Sequence, residues 1–170
     1  AEISVSTLVP SPMRQTVVKV LSEEIASRTG VKLKVSATQS APSAPAIAIT
    51  LSSDPALKNA GISSSSDAPE FKKEGFRVLT SGNRIWIIGA DARGVLFGAG
   101  WLLRHLQMEK SIAQLNAPVN YASSPAYAIR GHQLGYRTTA NSYDAWDVKQ
   151  FEQYIRDLAI FGSNAVEGIP

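Results

Sequence analysis

Arg84-Ile85-Trp86-Ile87-Ile88-Gly89-Ala90-Asp91-Ala92-Arg93-Gly94-Val95-Leu96-Phe97-Gly98-Ala99-Gly100-Trp101-Leu102-Leu103 is the stretch on which the fold turns. Ile85 to Ile88 is apolar at every position, as in a central strand covered on both faces. Asp91 then offers an N-cap, and a helix is expected from there to about Met108, apolar almost all round in its first half and so largely buried. Gly94 and Gly98, four residues apart on one helical face, would let that helix lie close on the sheet. The same turn sits where a phosphate-binding loop would sit, but its spacing is not G-x-G-x-x-G, no Lys-Ser/Thr follows, and Asp91 would repel an anion. Packing is the better explanation of these glycines.

Working upstream, Gly75 to Thr80 and Arg84 to Ala90 flank Ser81-Gly82-Asn83, a short turn tolerant of positive φ, which predicts an antiparallel hairpin. A strand is expected from about Ile3. A helix follows with Ser11 as N-cap, Pro12 at the first helical position, Val17, Leu21 and Ile25 on one face and Gly30 just past its end. Val31-Lys32-Leu33-Lys34-Val35 alternates with a period of two, the pattern of a strand whose lysines face water. Ile47, Ile49 and Leu51 alternate likewise. Residues 36 to 46 read as a Ser- and Pro-broken loop, and 52 to 70, with four serines at Ser63 to Ser66, as a mobile excursion that adds nothing to a core.

Downstream, residues 110 to 126 read as a linker. Tyr127 to Tyr136 then reads as a strand, Asp147 to Phe161 as a helix with Val148, Phe151, Ile155 and Leu158 on one stripe, and Asn164 to Ile169 as a second strand. That is a βαβ unit, whose strands are normally parallel. One such unit closes neither a sheet nor a barrel. The expected fold is therefore α/β (α+β): an accessory domain over 1–109, a small mixed sheet with two helices on it, then a βαβ fragment of a truncated TIM barrel over 127–170. The uncovered helix stripe is expected either to drive self-association or to dock on the chain's own first domain.

At 170 residues, 44% hydrophobic and 18% charged, the chain can bury a core, and disorder over most of it is excluded. No apolar run approaches the roughly 18 residues of a membrane span. The formal charge of +3 is spread over singlets and pairs of basic residues, so nucleic acid is not an expected partner. Zero cysteines exclude disulfides, thiolate metal ligands and thiol nucleophiles. His105 and His132 have no carboxylate at metal-ligand spacing, and no nucleophile elbow is present. No metal, no cofactor and no catalytic residue is expected in this chain. An alanine start without an apolar leader favours a mature exported chain, periplasmic or secreted.

The polar residues left over are Arg130, His132, Tyr136, Arg137, Asn141, Tyr143 and Glu167, at or beyond the late strands. In a parallel barrel the C-terminal strand ends build the site, so these residues could line a sugar-binding mouth.

Ser124-Pro125-Ala126-Tyr127-Ala128-Ile129-Arg130-Gly131, then Tyr154-Ile155-Arg156-Asp157-Leu158-Ala159 to Gly162-Ser163-Asn164-Ala165-Val166-Glu167, resembles the opening of the catalytic barrel in family 20 hexosaminidases and family 67 α-glucuronidases. Gly89 to Gly98 is similar to the last strand and helix of the α/β domain preceding that barrel. The resemblance implies the N-terminal portion of a carbohydrate-active glycoside hydrolase, with glycan as the substrate of the intact parent. It implies substrate contacts at Arg137, Tyr136, Glu167 and Asn164. Arg137 matches the arginine that holds sugar hydroxyls if a one-residue shift is allowed. Gly135 stands where the hexosaminidases have an aspartate and Glu167 where they have a histidine. Their catalytic Asp-Glu pair lies on a later strand. A carbohydrate-binding or protein-interaction module without a hydrolase partner is the alternative.

Overall fold

The computed structural model describes residues 1–36, 45–63, 71–134 and 142–168. β1 (Glu2–Val5) runs parallel to both its neighbours, β2 (Lys34–Ser36) at the sheet edge and β3 (Ala46–Leu51) on the inner side. The hairpin β4 (Phe76–Ser81) and β5 (Arg84–Gly89) follows, turning at Gly82 with φ 56°. β5 lies parallel to β3, and β8 (Asn120–Ser123) closes the far edge antiparallel to β4, for the order β2-β1-β3-β5-β4-β8.

Alternation along the central strands sends side chains to two covered faces. Ile47, Ile49, Val78 and Ile87 point into one core with α1 (Ser11–Thr29) and α3 (Ala92–His105), which supply Val17, Leu21, Ile25, Val95 and Leu102. Ala48, Leu79, Trp86 and Ile88 point the other way, onto Leu57 of the short α2 (Ala56–Asn59) and onto Ile62. β3 is thus buried on both faces, where its spacing suggested one-sided alternation.

The stretch after Leu51 is not an idle excursion. Asp54 is buried and accepts from Ser6 Oγ at 2.6 Å, from Thr50 Oγ1 and from the Ala56 amide, which fastens the start of α2 to the ends of β1 and β3. Burial by itself raises the Asp54 pKa, but these three donors outweigh it and hold the carboxyl below its ordinary value. A composition-level reading overlooks two apolar side chains in a polar segment; Leu57 and Ile62 seal the second face.

Helix ends follow their capping chemistry. Asp91 accepts from the Gly94 amide, and Gly30 ends α1 in the left-handed region with φ 75°. α1 itself starts one residue earlier than expected, with Pro10 in the N-cap position and Ser11 already helical. α3 ends at His105, and Met108 lies in β6 (Gln107–Glu109), which pairs with β7 (Ile112–Gln114). Of Val31 to Val35 only the end is strand; Val31 and Leu33 pack against the core ahead of it, while Val35 stays exposed.

The 110–126 segment, expected as a linker, holds β7 and β8. Its strands have three or four residues each, too short for a periodicity to register. β7 forms a hairpin with β6, whereas β8 covers the edge that β4 would otherwise leave unpaired; Thr80 fixes the approach by donating its amide to Val119 O at 2.8 Å.

β9 (Gly131–Leu134), α4 (Val148–Ile160) and β10 (Ala165–Gly168) form the βαβ unit, its two strands parallel with His132 opposite Val166 and Gln133 opposite Glu167. The strand expected from Tyr127 begins only at Gly131; Tyr127 and Ile129 are exposed. α4 starts with a capping box between Asp147 and Gln150. It docks on α3, where a Cβ at Gly100 would lie 2.4 Å from the Ile160 carbonyl oxygen, and reaches α1 through Arg156, which pairs with Glu23 at 2.7 Å and Glu24 at 3.4 Å. The structure therefore shows docking of the tail on its own first domain. Val148, Ile155 and Phe161 remain exposed.

Candidate functional site

The turn opening α3 is a packing device. A Cβ at Gly94 would stand 2.1 Å from the Gly75 carbonyl oxygen, and one at Gly98 would stand 2.7 Å from Ile87 Cγ2. Backbone from residue 75 thus occupies the space that any side chain at 94 would need.

Beside that turn lies Glu74, which no sequence pattern singles out. It is buried, with φ 62°, a left-handed conformation costly for a residue with a Cβ. Asp91 holds it there: one carboxylate oxygen caps the Gly94 amide and the other accepts from the Glu74 amide at 2.9 Å. The Glu74 carboxylate accepts from Arg93 at 2.9 Å on Oε1, and from Arg130 at 2.8 Å and Asn164 at 3.0 Å on Oε2. Burial raises its pKa, but the hydrogen bonds from Arg130, Arg93 and Asn164, together with the Arg130 charge, prevail and leave the carboxyl below its ordinary value. One carboxylate thus ties α3 to both strands of the βαβ unit.

Arg130 spends its other donors on Tyr127 O and Gly162 O, both at 2.8 Å, and its guanidinium lies over the Phe97 ring. Asn164 accepts the Arg130 amide at 2.9 Å and donates to Ala128 O at 2.8 Å as well as to Glu74. Both residues sit at the N-terminal ends of β9 and β10, opposite the ends at which a parallel barrel builds its site.

The two faces of the strand pair differ. His132 meets the Tyr154 hydroxyl on α4 through Nδ1, which marks the helix-covered side; burial raises the Tyr154 pKa. Gln133 and Glu167 point to the opposite side, where Gln133 Nε2 donates to Glu167 Oε2 at 3.1 Å. Glu167 is one residue short of the end of β10. Tyr143 lies edge-on to Trp146, which packs on Phe151 and Tyr154 beneath α4. Tyr136, Arg137 and Asn141, as well as Gly135, lie outside the described residues. Among the described residues no group of three or more His, Cys, Asp or Glu could hold a metal ion, and no helix is long and apolar enough to cross a membrane.

By sequence, no protein-family model and no curated protein matches this chain. Solved structures do. The 4-O-methyl-α-glucuronidase BtGH115A of family GH115, specific for decorated arabinogalactans, superposes over 99% of this chain and 25% of its own, with a TM-score of 0.69 at 16% identity. The GH20 exo β-N-acetylglucosaminidase from Vibrio harveyi does so over 99% and 22%, at 0.67 and 17%. The GH20 β-N-acetylhexosaminidase from Streptomyces coelicolor A3(2) gives 99% and 30%, at 0.62 and 20%. The chain spans about a quarter of the length of these relatives. The resemblance first seen in a few motifs thus extends along the whole described fold: this α/β chain folds like one segment of TIM-barrel glycoside hydrolases.

Proposed function

We propose that this chain is the non-catalytic N-terminal portion of a periplasmic or secreted glycoside hydrolase acting on glycans. Its mixed-sheet domain would be an accessory that carries the first strand, helix and second strand of the catalytic barrel. The observation that carries this reading is the superposition over 99% of the chain on about a quarter of glycoside hydrolases from two families. The carboxylates support it. Glycoside hydrolysis uses an acid and a second carboxylate roughly 5 to 9.5 Å apart, and Glu167 is the one carboxylate borne by β9 and β10.

In the intact parent, Tyr136 and Arg137 after β9, and Glu167 near the end of β10, would contact the sugar. Asn164 takes a different part in this proposal, since its amide is committed to Glu74, Ala128 and Arg130; it joins the two regions. A free-standing carbohydrate-binding module using its tryptophans as a sugar platform is not favoured, since Trp86 and Trp101 are 2% and 8% exposed.

The test is turnover. The 170-residue chain, incubated with a panel of nitrophenyl glycosides that includes β-N-acetylglucosaminide and α-glucuronide, is expected to release no nitrophenol. Release proportional to enzyme concentration would overturn the non-catalytic reading.

A further inference from the structure

At the N-terminal ends of β9 and β10, away from Glu167, a cleft of about 520 Å³ opens between α3, the β8 edge and the βαβ unit. Ligand pockets commonly fall between about 300 and 1,000 Å³. Its walls carry Phe97, Trp101, Tyr121 and Phe161, with Arg104 and His105 on the α3 side. We propose that this cleft binds a small organic carboxylate with a flat or apolar body.

The charge pattern makes the case for an anion. Among the described residues lining the cleft Glu74 is the only acidic one, and its two oxygens are already met by Arg93 and Arg130. Arg104 keeps its charge unmatched. Its Nε donates weakly to Gly100 O at 3.3 Å and its guanidinium lies 5.2 Å over the Phe161 ring, while its terminal amino groups have no partner among the described residues. A guanidinium lying over an aromatic ring, with both terminal nitrogens without a partner among the described residues, is arranged for a bidentate carboxylate.

The aromatic geometry agrees. Trp101 is stacked on both faces, by His105 at 3.9 Å and by Tyr121 at 4.8 Å. A neutral sugar recognised by stacking would need a free indole face; Trp101 has only its edge to offer. Ring edges are the positive part of the aromatic quadrupole, so they too favour a negative group. His105 binds Trp101 O through Nδ1 at 2.7 Å, which requires that nitrogen to donate and leaves Nε2 uncommitted. Tyr121 and Phe161, 42% and 71% exposed, supply the apolar surface for the ligand's body.

The experiment is an amide and indole NMR titration of the full chain with benzoate, set against benzyl alcohol as the neutral counterpart and inorganic phosphate as an anion without an apolar body. Benzoate is expected to shift the Trp101 indole N–H and the amides of 100–106 saturably, with neither control doing so at comparable affinity. Arg104→Gln should weaken benzoate about tenfold, as for one lost charge-assisted pair. Arg104→Lys should fall between, and Arg14→Gln on α1 should change nothing. No saturable shift, equal affinity for benzyl alcohol or phosphate, or full binding by a folded Arg104→Gln chain would each overturn the proposal.

Discussion

β3 and β10 are both short parallel strands, yet one is buried at all but its last residue and the other is exposed along its whole length. The same contrast separates the regions they belong to. Of the buried apolar residues in the two core clusters, only Ile160 comes from beyond Ser123. The mixed-sheet region therefore carries its own core, while the βαβ unit has secondary structure without one. What fixes the second region is a small set of attachments: the Glu74 carboxylate, Ile160 against Gly100, and Arg156 on Glu23 and Glu24. A strand's apolar content describes what it can bury; the neighbouring layers decide whether it does.

The contrast breaks most visibly at Trp86. Trp86→Ala removes a side chain packed under the sheet and is expected to cost about 3–5 kcal/mol, read as a lowered denaturation midpoint. Val148→Ala on exposed α4 should stay within about 0.5 kcal/mol; equal losses at both positions would erase the distinction. Gly100→Ala puts a methyl into the Ile160 backbone and should weaken docking of α4 by about 1–3 kcal/mol. Hydrogen exchange should then speed up in 148–168, with the sheet's Tm nearly unchanged.

Glu74→Gln sharpens the comparison, since it removes the charge that Arg93 and Arg130 share. It is expected to weaken attachment of the βαβ unit by about 2 kcal/mol, the scale of hydrogen bonds to charged groups. The pH dependence has a definite sign. Because the folded pKa of Glu74 is depressed, its contribution is complete above the ordinary glutamate value of about 4.3 and is lost as pH falls through the lower folded value. Asp54 acts in the same direction, so the Glu74 share is the difference between the wild-type and Glu74→Gln profiles in acid. The smallest effect belongs to the exposed start of α4: Val148→Ser should leave stability within about 0.5 kcal/mol and reduce any concentration-dependent association seen by light scattering.

The sheet region was legible because its signals are local and redundant. The apolar run at Ile85 to Ile88, the Asp91 cap, the glycines at 94 and 98 and the Ser81-Gly82-Asn83 turn each point to the same element. β7 and β8 were not legible, since strands of three or four residues are too short for a periodicity to register, and β8 forms in answer to the open edge of β4, far away in sequence. The Glu74 joint was hidden for a related reason. Its partners lie 19, 56 and 90 residues away, and a left-handed φ on a glutamate leaves no mark in composition. Arg130 and Asn164 could be noticed as polar residues near strands, but which end of the strand each occupies depends on where β9 and β10 start. Tyr136 and Arg137 lie outside the described residues, so their placement rests on the resemblance alone.

The sheet region contains nearly all of the core, and a few named contacts hold the βαβ unit to it. Native-state hydrogen exchange on the full chain tests this division most directly. Amides of β9, α4 and β10 are expected to exchange through a shared opening well below the global unfolding free energy, while β1, β3 and β5 exchange only by global unfolding. Equal protection in both regions, or none in β9, α4 and β10, would contradict it.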